Sequence, residues 1–127
     1  MEPIRIEATN TTPAVSLDQK TGKLELSGNS RPENIFAFYD PIIDWLKIYE
    51  AQPCATTSFS FKLHYFNSAS AKIIHGIVNL LAQISKAGNT VEIKWHYVDG
   101  DDESLESGKD YASLVSVPFQ FIREASM

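Results

Sequence analysis

The sequence contains a single cysteine, no long hydrophobic run and no signal peptide. Because Cys54 has no second cysteine to pair with, no internal disulfide can form, and we expect a protein of a reducing compartment, the cytoplasm. No stretch approaches the roughly 18 uninterrupted apolar residues of a membrane span, so no membrane insertion is expected. The N-terminus, MEPIRIEATN, lacks the basic and apolar regions of a signal peptide.

Positive charge is also scarce. Eleven Lys and Arg residues stand against sixteen Asp and Glu residues, which gives a formal net charge of -5. Nucleic acids and anionic membranes bind clustered Lys and Arg, whereas the basic residues here are scattered along the chain. The charge therefore argues against nucleic acid as a partner.

Catalytic and metal-binding patterns are absent as well. The three histidines, His64, His75 and His96, have no Cys or carboxylate at a ligand spacing and form no HExxH motif. The acidic run that begins at Asp99 has Ser104 where a calcium loop needs glycine. No GxSxG, P-loop or Rossmann glycine pattern occurs. We therefore expect no metal, no cofactor and no enzymatic activity.

The length of 127 residues fits one domain, residues 1–127. Period-2 alternation in the first 28 residues predicts two or three antiparallel strands, with Gly22 in a hairpin turn. From Pro32 to about Glu50 the spacing predicts a helix with Ser30 as its N-cap. Pro41 should kink this helix or split it in two.

A strand–helix–strand unit follows. Thr57 to Tyr65 alternates as a strand with Phe59, Phe61, Leu63 and Tyr65 on one face. A helix runs from Asn67-Ser68 to Gly88-Asn89, and a second alternating strand covers Val91 to Tyr97. Such a unit makes the two strands parallel with a right-handed crossover.

The chain closes with an acidic loop, 99–109, a short helix near 105–114 and a last strand at 115–121. Pro118 places that strand at a sheet edge or a bulge. Clean alternation in the strands indicates one covered sheet face and one wet face. The predicted fold is therefore α/β, a two-layer sandwich of a mixed β-sheet with helices packed mainly on one face.

The segment Asn67-Ser68-Ala69-Ser70-Ala71-Lys72 has two interpretations. In the first, Asn67 or Ser68 simply caps the helix. In the second, an exposed hydroxyl accepts a phosphate, which the positive end of a helix and Lys72 would tolerate. The position at the carboxyl end of a strand fits the second interpretation, because α/β sheets present functional groups there.

Four segments, TGKLELSGNSRPEN, FYDPIIDWL, FKLHYFNSASAK and YASLVSVPFQFI, resemble the SiaC family of bacterial regulatory phosphoproteins. The resemblance runs from about residue 4 to residue 122. It implies a STAS-like fold and partner switching between a Ser/Thr protein kinase and a metal-dependent Ser/Thr phosphatase. It also implies that the dephosphorylated form binds and activates a diguanylate cyclase, which links the chain to cyclic-di-GMP signalling and biofilm regulation.

The resemblance also implies the modified residue. The family motif typically reads Tyr-Phe-Asn-Thr-Ser-Ser, and here Tyr65-Phe66-Asn67-Ser68-Ala69-Ser70 stands in its place, so the acceptor maps onto Ser68 with Ser70 as the rival. Two alternatives remain: a module like an anti-sigma-factor antagonist, or a ligand-binding STAS-like module without phosphorylation. The expected partner-contact residues are Asn67, Ser68, Ser70, Lys72, Phe36 and Tyr39.

Overall fold

A computed structural model describes all 127 residues as one six-stranded sheet and three helices. In chain order the elements are β1 (Ile4–Ile6), β2 (Ala14–Asp18), β3 (Lys23–Ser30), α1 (Ile35–Ala51), β4 (Thr56–Phe66), α2 (Ser68–Lys86), β5 (Thr90–Val98), α3 (Asp102–Ser113) and β6 (Phe119–Glu124). None of the helices combines the length and the apolar character that crossing a bilayer requires.

The strands lie in the sheet in chain order, β1-β2-β3-β4-β5-β6. The first three pair antiparallel, and β3 to β6 pair parallel through α1, α2 and α3. Right-handed crossovers that all step in the same direction place their helices on one face of a sheet. The predicted mixed sheet in a two-layer sandwich is confirmed.

Strand register separates an apolar face from a polar face. Across the sheet, Leu26 pairs with Phe61, and Phe61 pairs with Trp95, so that their buried side chains share one face. The alternate row carries Glu25, Ser60 and Lys94. The helices cover the first row, and the second faces solvent, as the alternation predicted.

Helix α1 begins later than predicted. Asn34, rather than Ser30, is its N-cap, and the Asn34 side chain accepts a hydrogen bond from the Ala37 N–H at 3.1 Å. Ser30 belongs to β3 and is fully buried. Nor is the helix split at Pro41. Large side chains on both sides of the proline are buried in the core, and their burial offsets the one hydrogen bond that proline cannot make. These side chains are Tyr39, Ile42, Trp45, Leu46 and Tyr49.

The last two elements are also displaced from their predicted positions. Helix α3 covers Asp102–Ser113 because Asp101 caps it, accepting a hydrogen bond from the Ser104 N–H at 3.1 Å. The acidic loop is therefore shorter than expected. Strand β6 starts after Pro118 and pairs only with β5, so the proline lies outside the ladder and β6 is an edge strand.

A bulge near the end of β4 reverses its side-chain alternation. Gly28 of β3 pairs with Leu63, but the next residue, Asn29, pairs with Tyr65, so His64 is an extra residue in the ladder. Tyr65 consequently points out and is 51% exposed. Phe66 packs edge-on against Trp95 at a ring-centroid distance of 6.0 Å. The prediction that Tyr65 shares a face with Phe59, Phe61 and Leu63 is wrong, because an extra residue inverts a period-2 pattern.

Gly108 of α3 lies against the indole of Trp95, and we expect Gly108→Ala to destabilise the fold by about 1–3 kcal/mol through overpacking. A Cβ at this position would lie 2.6 Å from Trp95 Cδ1. The ring cannot easily retreat, because it is buried and its Nε1 donates to the Ser104 carbonyl at 3.0 Å. Urea unfolding measures the loss.

Gly76→Ala is the matched control. Gly76 is also helical, but a Cβ there would meet nothing within 4 Å. The same gain in helix propensity should therefore stabilise this variant by about 0.5–1 kcal/mol. Equal effects of the two substitutions would contradict the tight contact at Gly108.

Candidate functional site

The candidate site lies where β4 ends and α2 begins, at the carboxyl edge of the parallel strands. Asn67 is the N-cap of α2: its Oδ1 accepts a hydrogen bond from the Ser70 N–H at 2.9 Å, and its backbone carbonyl accepts one from the Ala71 N–H at 2.9 Å. Of the two residues predicted as the cap, Asn67 takes the role. The Ser68 hydroxyl therefore has no part in capping the helix.

Ser68 is exposed at the first position of α2. No acidic residue occupies the first turn of this helix, so the positive end of its dipole is not neutralised by its own side chains. Lys72, four residues on, is also exposed and lies on the same side of the helix. A phosphate on Ser68 would meet unpaired backbone N–H groups and a cation one turn away.

The structure corrects two of the expected site residues. Ser70 is fully buried, so it offers no surface to a kinase or to a partner in this conformation. Tyr39 is also fully buried, because it lies on the core face of α1. Neither side chain can contribute to a docking surface.

Ser30, at the end of β3, is a site residue that the sequence did not reveal. Its backbone carbonyl accepts hydrogen bonds from the Asn67 N–H at 3.1 Å and from the Ser70 hydroxyl at 3.0 Å. These two donors flank Ser68 in the chain. Ser30 therefore fixes the start of α2 from both sides of the candidate acceptor. No sequence signal pointed to this contact, because it joins residues about forty positions apart.

Two exposed aromatic rings lie at the same edge of the molecule. Phe36, in the first turn of α1, is 65% exposed, as its predicted role in partner contact requires. Tyr65, three residues before Ser68, is 51% exposed and was not predicted as a contact residue. The consecutive aromatics Tyr65 and Phe66 were the available signal, because two adjacent strand residues cannot both face the core.

Helix α3 is tied to the same region. The Tyr111 hydroxyl donates to the Ala71 carbonyl at 3.0 Å, and this carbonyl belongs to the first turn of α2. Between the end of β4 and the start of α3 lies an open cavity of about 160 Å³. Its lining residues are Leu63, His64, Tyr65, Phe66, Asp101, Glu103, Ser104 and Ser107.

Two of the histidines that were considered as metal ligands, His96 and His75, contact different residues. The Nδ1 of His96 is 2.8 Å from Glu124 Oε1, while the ring of His75 stacks near Tyr111 at a centroid distance of 6.5 Å. No group of three or more His, Cys, Asp or Glu side chains is placed to share a metal ion.

Burial, with the nearby charge of Asp110, raises the pKa of Tyr111 to about 12, above its ordinary value of 10.0. Because the unfolded chain loses this proton first, the stability that Tyr111 adds should be complete below about pH 10 and lost as the pH rises through about 12. A phenolate also cannot donate to Ala71.

We therefore expect the stability advantage of the wild type over Tyr111→Phe to disappear as the pH approaches about 12. Urea unfolding of both proteins at stepped pH values measures this difference. The other tyrosines are present in both proteins and cancel. A gap that stays constant across the alkaline range would contradict the assignment.

Comparison with known proteins identifies the family of this chain. The family described as SiaC family regulatory phosphoprotein matches residues 6–124, nearly the whole chain. The chain belongs to the SiaC family. It is thus a regulatory phosphoprotein by family, in agreement with the resemblance read from its sequence segments.

Individual relatives of this SiaC-family protein agree in length and fold. An uncharacterised protein of Pseudomonas aeruginosa strain UCBPP-PA14 is 29% identical over 119 residues, covering 94% of both chains. The crystal structure of apo-SiaC from P. aeruginosa superposes with a TM-score of 0.86 at 29% identity, covering 96% of this chain and 99% of that one.

A third similarity is to a complex. A chain in the crystal structure of the diguanylate cyclase SiaD with its activator SiaC from P. aeruginosa superposes with a TM-score of 0.90 at 28% identity. The alignment covers 95% of this chain and 99% of that one. The SiaC fold is therefore the fold of the whole chain.

Proposed function

We propose that this SiaC-family protein is a non-enzymatic cytoplasmic switch that is reversibly phosphorylated on Ser68. A Ser/Thr protein kinase adds the phosphate, and a metal-dependent Ser/Thr phosphatase removes it. The dephosphorylated form binds and activates a diguanylate cyclase, and so acts in cyclic-di-GMP signalling and biofilm regulation. The observation that carries the proposal is the exposed Ser68 hydroxyl at the start of α2, beside a buried Ser70.

The solved SiaC–SiaD complex supports the choice of partner class. A protein of the same fold, matched over 99% of its length, is there named the activator of a diguanylate cyclase. At 28% identity the two chains superpose with a TM-score of 0.90, so the fold is shared. We therefore assign the class of partner by similarity and argue the switch from the residues of this chain.

The electrostatics of Ser68 make phosphorylation an off-switch. A phosphoserine carries about -1.5 to -2 charges at neutral pH. Burying that charge in an interface without compensating cations costs several kcal/mol. The field at the helix end returns at most about 2 kcal/mol, and it does so equally in the free protein. Phosphate on Ser68 therefore stabilises the unbound state relative to the complex.

The docking surface includes the ring of Phe36, the ring of Tyr65 and the exposed start of α2. Large exposed apolar side chains that a partner can bury dominate interface energetics. Both rings lie at the edge that carries Ser68, so a partner bound through them would cover the acceptor. This arrangement links binding to the phosphorylation state.

The switch is tested with substitutions at Ser68. Ser68→Asp should weaken binding to the diguanylate cyclase of the same organism by about a hundredfold or more, since each 1.4 kcal/mol is about tenfold in affinity. Ser68→Ala should bind like the unphosphorylated wild type, because the hydroxyl is not needed for the helix cap. Calorimetry or surface plasmon resonance measures both affinities, and equal values would exclude the switch.

Mass spectrometry separates Ser68 from its neighbour. Protein isolated from its native cell should carry a single phosphate on Ser68, and Ser68→Ala should carry none, because the Ser70 hydroxyl is buried. A phosphate found on Ser70, or an unmodified Ser68 under every growth condition, would contradict the assignment.

The aromatic surface is tested separately. Phe36→Ala and Tyr65→Ala should each weaken cyclase binding by about 1–2 kcal/mol, the range of moderate hot-spot residues. Ile48→Ala is the matched control: Ile48 is on the same helix as Phe36 and equally exposed, at 64% against 65%, but it lies near the other end. Equal losses for Phe36→Ala and Ile48→Ala would mean that the partner does not dock at the Ser68 edge.

A further inference from the structure

Three buried hydroxyl groups form a continuous chain beneath the start of α2. The Tyr39 hydroxyl lies 2.5 Å from Ser30 Oγ, and Ser30 Oγ lies 2.7 Å from Ser70 Oγ. Ser70 Oγ is in turn 3.0 Å from the Ser30 backbone carbonyl. All three residues are 0% exposed, so water does not compete for these bonds. The chain therefore connects α1, β3 and α2 through the protein interior.

The direction of the hydrogen bonds follows from counting protons. A carbonyl cannot donate, so the Ser70 hydroxyl must give its only proton to Ser30 O. Ser30 Oγ must then donate to Ser70 Oγ, and Tyr39 must donate to Ser30 Oγ. Burial raises the pKa of Tyr39, which keeps its phenol protonated and able to donate. Every hydroxyl in the chain donates once, and the arrangement is fully satisfied.

We propose that Tyr39, acting through Ser30 and Ser70, is a positioning residue for phosphorylation of Ser68. This inference rests on the proposed function of Ser68. The hydrogen-bonded hydroxyls hold the Ser70 side chain in the interior, and the Ser30 carbonyl also accepts a hydrogen bond from the Asn67 N–H. Asn67 and Ser70 are thus anchored, and Ser68 and Ala69 between them are presented to solvent as a fixed turn. A kinase that recognises the folded turn depends on that geometry.

Helix α1 supplies a close control for Tyr39. Tyr49 is also buried on α1, and its hydroxyl also bonds to a strand hydroxyl, Thr57 Oγ1 at 2.7 Å. This bond lies at the opposite end of the helix from Ser30. The Tyr49 hydroxyl also accepts a hydrogen bond from the Cys54 N–H at 3.2 Å. Tyr49→Phe therefore removes the same chemical group as Tyr39→Phe together with one more hydrogen bond, and both variants retain the ring that fills the core.

Amide hydrogen exchange read by NMR tests the anchoring. In Tyr39→Phe, the amides of Asn67, Ser70 and Ala71 should exchange about fivefold faster than in the wild type, the effect of losing one neutral hydrogen bond. In Tyr49→Phe these amides should keep the wild-type rate, even where urea unfolding shows an equal loss of global stability. Equal exchange in the two variants overturns the proposal.

Phosphate occupancy tests the positioning role itself. In the native cell, Tyr39→Phe should carry less than about half of the wild-type phosphate on Ser68, and Tyr49→Phe should match the wild type. Equal occupancy in the two variants would mean that the three hydrogen-bonded hydroxyls have only a structural role, and it overturns the proposal. If wild-type Ser68 never carries phosphate, the proposed function fails, and the exchange comparison still shows whether Tyr39 anchors the turn.

Discussion

The site depends on two hydrogen bonds that the Ser30 carbonyl accepts. The donors are the Asn67 N–H and the Ser70 hydroxyl, on either side of Ser68 in the chain. Buried polar groups must be paired, and leaving one unsatisfied costs about 1–3 kcal/mol. The end of β3 and the start of α2 therefore cannot separate without losing several such bonds. Ser68 and Ala69 remain exposed between Asn67 and Ser70, which these bonds hold in place.

The first turn of α2 divides distinct roles among adjacent residues. Asn67 caps the helix, Ser70 anchors it to Ser30, and Lys72 remains a free exposed cation. Ser68 has none of these structural duties. A residue without a structural role can accept a phosphate while the fold stays intact, which is what a reversible switch requires.

Hydrophobic periodicity predicted most of the secondary structure, because β4, α2 and β5 have regular patterns of apolar residues and short connecting loops. The residues of the segment 67–72 indicated a candidate phosphate acceptor, and its proposed assignment to Ser68 came from the family resemblance. The errors have physical causes. The bulge at His64 inverted the facing of Tyr65, and Ser30 was misassigned because its partners Asn67 and Ser70 lie about forty residues away in the chain. Tyr39 was misassigned because the aromatic pattern along α1 does not show which of its rings the sheet covers. A pattern read along one element carries no information about contacts between elements.

The topology explains how a chain with a net charge of -5 can carry a phosphate dianion. Successive right-handed crossovers bring the N-termini of all three helices to one edge of the sheet. Helix α3 has Asp102 and Glu103 in its first turn, whereas α1 and α2 have no acidic residue there. The positive end of α2, where Ser68 stands, therefore meets no acidic side chain from its own first turn. If Ser68 is phosphorylated as proposed, this helix end accommodates the charge in the free protein, and the cost to binding would come from the partner surface that buries it.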